Sequence, residues 1–198
     1  LKQPVLFEYT NENLIESVNI GKMEELYGAF DVNFRNIARK DAESEVYLPI
    51  LLNEVVKLFQ NKLNNKIIIE NNEEFLNETG LLKVFRYNDS FLRPPLVSIC
   101  KYDFMSGSEE SYTPLRYNIN YRNFYLVTSG KIKLKLIPPS NSKYLQKEND
   151  YDIFEFGSPV NPWDVQEIYK PEFDKVKVLD LDLVKGQIIN IPPYWWYS

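Results

Sequence analysis

Asp180-Leu181-Asp182 is a D-x-D, the spacing with which many sugar-nucleotide transferases hold a divalent cation. Here it lies within Val178-Leu179-Asp180-Leu181-Asp182-Leu183. Apolar and acidic residues alternate there at the period of a strand, so the two carboxylates read as one solvated face. Glu73-Glu74, Glu109-Glu110 and the group Asp150, Asp152 and Glu155 read as solvated loops rather than metal sites. Histidine is absent from all 198 residues. That excludes Ser-His-Asp and Cys-His catalysis, the H-E-x-x-H zinc motif and the two-His, one-carboxylate iron site. It also removes the side chain best matched to proton transfer near neutral pH. Cys100 is the single cysteine, so there is no internal disulfide and no cysteine-rich metal cage. It reads as a small buried residue between Ile99 and Lys101. Asn77-Glu78-Thr79 and Asn88-Asp89-Ser90 match the glycosylation pattern, as an Asn-rich chain does by chance.

Composition narrows the partners. Lys and Arg total 23 against 28 Asp and Glu, a net charge of −5. Such a chain is poorly suited to nucleic acid. Apolar residues at 44% and charged residues at 26% are globular values, and 198 residues suit one domain. No apolar run reaches the length of a membrane span. A lone thiol fits a reducing, intracellular compartment: cytoplasm, nucleus or virion. The chain opens on Leu1-Lys2-Gln3-Pro4 and stops after an aromatic strand, so truncation is expected, above all at the C-terminus. The lean towards Asn, Lys, Ile and Tyr is the bias of A/T-rich genomes, large DNA viruses among them.

The elements that must position any site follow from periodicity. Pro4 to Phe7 reads as a strand. Asn11 to Val18 reads as a helix capped by Asn11, and Met23 to Tyr27 as another stopped by Gly28. Phe30 to Phe34 alternates as a strand. Leu51, Leu52, Val55, Leu58, Phe59 and Leu63 stripe one helix from Tyr47 to Leu63, with Pro49 in its first turn. Ile67 to Ile69 reads as a buried strand and Glu73 to Asn77 as a helix ended near Gly80. From Leu96 the pattern turns to strands: Leu96 to Phe104, Leu115 to Asn120, Asn123 to Thr128, Lys131 to Ile137, Val176 to Leu183 and Ile188 to Ser198. Ser129-Gly130 reads as a two-residue hairpin loop, and Ser140 to Asp150 as a polar loop. Arg116, Asn118 and Asn120 share one strand face, opposite Leu115, Tyr117 and Ile119.

Three segments stand out together. The first is Thr113-Pro114-Leu115-Arg116-Tyr117-Asn118. The second is Asn123-Phe124-Tyr125, Gly130 and Leu136-Ile137-Pro138-Pro139. The third is Gly186-Gln187 followed by Ile191-Pro192-Pro193-Tyr194-Trp195-Trp196-Tyr197. In order and spacing they resemble the cupin-like, Jumonji-C branch of the iron(II)- and 2-oxoglutarate-dependent oxygenases. Pro4-Val5-Leu6 and Leu26-Tyr27-Gly28 add a fainter likeness near the N-terminus. The resemblance implies an α+β, mainly β fold: a double-stranded β-helix, or jelly-roll barrel, with N-terminal helices packed outside. It would be one domain over 1–198, with residues 1–95 as flank and 96–198 as barrel.

The resemblance also implies an iron(II) held by His, a carboxylate and a distal His. Arg116, Asn118 and Tyr197 stand at those three positions. A guanidinium has no lone pair to give a metal, Asn offers only a neutral carbonyl, and a phenol is a poor ligand at neutral pH. The family's basic residue for 2-oxoglutarate falls at Ile132, while Thr113 and Asn123 persist at pocket positions. Ile132, Leu134 and Leu136 then line an apolar lumen and Lys131, Lys133 and Lys135 face outward. The expectation is a domain without metal or cofactor, acting as a structural or protein-interaction module, self-assembly included, in a viral setting. Two alternatives stand beside it: a hydroxylase or demethylase with a displaced metal site, and a small-anion or peptide-binding barrel centred on Arg116.

Overall fold

A computed structural model describes residues 2–37, 47–60, 66–151 and 155–198. From the N-terminus come strand β1 (Val5–Glu8), helices α1 (Glu12–Ser17) and α2 (Ile20–Tyr27), and strands β2 (Asp31–Asn36) and β3 (Leu48–Leu51). Helix α3 (Leu52–Gln60), strand β4 (Ile67–Ile69), helices α4 (Glu73–Glu78) and α5 (Leu81–Asn88) and strand β5 (Ser106–Gly107) follow. The rest is mostly strand: β6 (Arg116–Tyr117), β7 (Asn123–Leu126), β8 (Lys131–Ile137), β9 (Glu148–Asp150) and β10 (Glu155–Gly157). After helix α6 (Lys170–Phe173) come β11 (Leu179–Val184), β12 (Gln187–Ile191) and β13 (Trp196–Tyr197). Contacts divide the chain into two compact units, Glu16–Tyr112, and Leu1–Ile15 joined with Thr113–Ser198. The sequence alone places the division between flank and barrel at 95/96.

The unit Glu16–Tyr112 holds an antiparallel sheet in the order β3-β2-β4-β5. The three isoleucines of β4 are all buried. Asn19 caps α2, its side chain accepting from the Lys22 amide at 3.0 Å. Gly28 ends that helix, and a Cβ there would sit 2.5 Å from the Glu24 carbonyl. The helix expected from Tyr47 begins instead at Leu52, because Leu48 to Leu51 pairs with β2 as an edge strand. Pro49 explains the difference. It steers the residue before it away from helical backbone, and an edge strand tolerates its missing N–H. The stripe keeps its buried Leu52 and Val55, while Leu63 lies outside the described residues. The strand expected over Leu96 to Phe104 is absent: that stretch is irregular, and Leu96 takes a left-handed φ of 62°. Helix α5 was not expected.

A buried ion pair ties this sheet together. Arg35 Nη2 lies 2.6 Å from Glu70 Oε1, with side-chain exposures of 10% and 1%. The Tyr47 hydroxyl donates to the same carboxylate oxygen at 2.6 Å. Removing one partner strands a charge in the interior. Glu70→Ala is therefore expected to cost about 3–5 kcal/mol, read from the urea midpoint. Close by, Asp103 accepts the Asn72, Asn71 and Phe104 amides. Burial nonetheless holds its carboxyl above its usual value.

The other unit is built from two antiparallel sheets, β1-β12-β7 and β11-β8-β13-β6-β10-β9. Ser129-Gly130 corrects the reading of a hairpin. Gly130 takes a turn φ of 67°, but β7 pairs with β12 while β8 pairs with β11 and β13. The turn thus carries the chain from one sheet to the other. The switch recurs after β11, through Gly186 at φ 90°, and again between β12 and β13. Its reward is a shared core. Val127, Ile189 and Ile191 from one sheet meet Leu134, Leu136, Leu183 and Tyr197 from the other. A hairpin would have left those apolar faces side by side rather than face to face. On the opposite face of the larger sheet, Leu115, Ile137, Leu145, Val160 and Trp196 form a second core. The expected polar loop after Pro138 contains a 3-10 helix over Pro139–Tyr144 and then β9.

Candidate functional site

Strand register assembles the site. β6 and β13 pair so that Tyr197 lies opposite Arg116, which sets both side chains on the same face. Tyr197 belongs to the core between the sheets, so this is the inner face. The Arg116 guanidinium lies 5.7 Å from the centroid of the Tyr197 ring. Asn118, two residues along, donates its amide to the Tyr197 hydroxyl at 2.6 Å. Tyr125 leans on the same ring with centroids 5.6 Å apart. Asn120 donates to Asn123 Oδ1 at 3.3 Å. Arg116 and Asn118, two residues apart, and the distant Tyr197 are thus one contiguous cluster.

The remaining candidates fall around it. Asn123 lies opposite Ile191 in register, and its Nδ2 is buried. Ile132 lies opposite Leu183, on the face of buried Leu134 and Leu136, and is itself 42% exposed. Lys131 and Lys133 are exposed, and Lys135 pairs with Asp180 at 2.7 Å. Leu134 and Leu136 thus face the core with the lysines turned away, as the alternation required, whereas Ile132, expected in the apolar lumen, is exposed. Thr113 is tied through its backbone: its carbonyl accepts the Ser198 hydroxyl at 2.5 Å. Asp180 pairs with Lys135 and Asp182 sits across from Lys133 in register, so the D-x-D lies on a strand face opposite lysines. Among the described residues, no group of three or more His, Cys, Asp or Glu is placed to hold a metal. Nor, among the described residues, is any helix long and apolar enough to cross a membrane.

The cluster's chemistry is that of packing and hydrogen bonding. These three side chains present a guanidinium, an amide and a phenol. The iron(II) that the resemblance implies does not fit these three side chains. A fixed cation would stand beside the dication, and the Tyr197 oxygen is already held by Asn118.

Sequence reasoning missed an aromatic assembly on the outer face of the same strands. Tyr117 stacks on Phe156 at 5.1 Å and meets Trp196 edge-on at 4.7 Å. Tyr194 lies 6.0 Å from Tyr117, and Tyr151 is 5.5 Å from Phe156. Burial, with the Tyr151 and Tyr194 hydroxyls nearby, pushes the Tyr117 phenol up. Alternation did place Tyr117 opposite Arg116 in facing. No local pattern announces β9 and β10, which supply Phe156 and the edge beside it.

A face-to-face pair of antiparallel sheets between which strands alternate is the architecture of a jelly-roll barrel. The model of the cupin-like domain family matches residues 8–198. The chain belongs to that family, in its Jumonji-C type. A search of curated proteins found no match.

Proposed function

We propose that this chain is a non-catalytic cupin-like domain, a double-stranded β-helix that serves as a structural or protein-interaction module. The observation that carries this reading is the Asn118–Tyr197 hydrogen bond beneath the Arg116 guanidinium. By resemblance these residues take the places of the iron ligands, and here they contact one another. Ile132, where the family carries a cation for 2-oxoglutarate, supports it further. The compositional bias favours an assembly role in a large DNA virus.

The test is a thermal-shift titration with Mn(II), with Fe(II) under anaerobic conditions, and with 2-oxoglutarate, singly and together. A ligand at a hundred times its Kd would stabilise the fold by about 2.7 kcal/mol. The expected result is no shift with any of them. A shift that needs metal and 2-oxoglutarate together would make the domain an oxygenase and overturn the reading. A shift with 2-oxoglutarate alone would replace it with an anion-binding barrel centred on Arg116.

A further inference from the structure

We propose that residues 97–101 pair, as an antiparallel strand across a two-fold axis, with the same residues of a second copy of this chain. The inference rests on the interaction-module reading and names its surface and partner. Leu96, at φ 62°, completes a turn behind Pro94-Pro95. From there the backbone runs through residues 97–105 without turn or bend and enters β5, the edge of its sheet. Asp103 accepts the Asn71 and Asn72 amides, which fastens the run to the corner after β4. Tyr102 stacks on Phe85 of α5 at 6.2 Å and donates to Asp89. The stretch between Leu96 and Tyr102 is therefore anchored at one end and bounded by a turn at the other.

Among the described residues, nothing takes up the backbone of residues 97–101: their amides and carbonyls make no hydrogen bond within the chain. Alternation puts Val97 and Ile99 on one side, where they are 41% and 75% exposed. Straight backbone with open donors and acceptors and β-branched side chains is a template for another strand. Three other sheet edges are guarded against this. At the opposite edge of the same sheet β3 carries Pro49, while β9 shows Glu148 and Asp150, and β11 shows Asp180 and Asp182. Residues 97–101 have no proline, and Lys101 is their only charge.

The occupant follows from the run itself. Open backbone groups in a row are complemented by another extended strand. A second copy presents one with the same open groups and the same apolar side. Antiparallel pairing across a two-fold axis is self-complementary and closes at two chains. Using the whole run puts its middle residue, Ile99, on the axis. Ile99 then faces its own counterpart, Val97 faces Lys101, and Ser98 faces Cys100. No like charges meet. The Lys101 stem covers Val97 while its ammonium reaches water. A ladder this short falls below the standard interface size, so the pair is expected to be weak and concentration-dependent.

Sedimentation velocity of the full chain over a concentration series is the test. A reversible monomer–dimer equilibrium is expected. Ile99→Lys and Ser98→Pro should each weaken it at least about tenfold. Neither should move the melting temperature measured at dilution, because Ile99 is exposed and the Ser98 amide has no partner in the chain. Leu179→Lys, on the edge strand β11, should leave the dimer intact. Register is read separately by cysteine pairing in a glutathione redox buffer. In a Cys100→Ser background, Ile99→Cys should link two chains and Val97→Cys should not. A chain that stays monomeric at its highest soluble concentration overturns the proposal. So does a dimer indifferent to Ile99→Lys and Ser98→Pro, an open-ended polymer in place of a dimer, or linkage through Val97→Cys alone. The metal and 2-oxoglutarate titration separates the two claims: a positive result there defeats the non-catalytic reading and leaves the dimer result standing.

Discussion

Tyr197→Ala is expected to destabilise the fold by about 3–5 kcal/mol, the range for deleting a large buried aromatic side chain. Tyr197 is 5% exposed and belongs to the core shared by both sheets. Its ring also carries the Arg116 guanidinium, and its hydroxyl takes the Asn118 amide. Tyr197→Phe isolates the last of these. It keeps the ring and leaves Asn118 short of a partner in a half-buried site, a loss of about 1–2 kcal/mol. Asn118→Ala in the Tyr197→Phe background should then add little, since the pair acts as one unit. Urea unfolding of the three variants measures all of this. Equal midpoints for wild type and Tyr197→Phe would show that the hydrogen bond contributes nothing.

The second large effect is a gain. The triple replacement Arg116→His, Asn118→Asp and Tyr197→His restores two imidazoles and a carboxylate on strands whose register already brings the three positions together. It is expected to give a fold whose melting temperature rises with Mn(II) or Co(II). At a hundred times the Kd the rise corresponds to about 2.7 kcal/mol. The comparison is with the same variant in chelator, because losing the Tyr197 core contacts lowers its stability first. A triple variant that folds yet ignores both metals would show that the strands no longer hold ligand geometry.

Much of the site was legible because strand period is a strong signal. Alternation in Leu115 to Asn120 set Arg116 and Asn118 on one face, and alternation in β8 set Leu134 and Leu136 inward and the lysines outward. Both are local statements and both describe the structure. What failed was pairing. Ser129-Gly130 has the residues of a hairpin turn, yet which strand a neighbour joins is decided by burial across the sheets, not by the turn. Leu96 to Phe104 has the apolar content of a strand but finds no ladder, and Leu96 and Ile99 remain exposed. Pro49 was read as the first turn of a helix when its missing N–H suited an edge strand equally well. The aromatic assembly stayed hidden because Phe156, Tyr117 and Tyr194 meet only after three distant segments pair.

The pairing of β1 with β12 sets Val5 against Asn190. A ribosome must therefore have released the chain past Asn190 before the first strand can find its neighbour. Contact order of this kind makes closure slow, because a long loop must be ordered before the ladder returns any stability. Until then β1 is an open edge on a nascent chain, exposed to pairing with another copy. Expression at low temperature, or with a holding chaperone, should therefore favour the native barrel over aggregate.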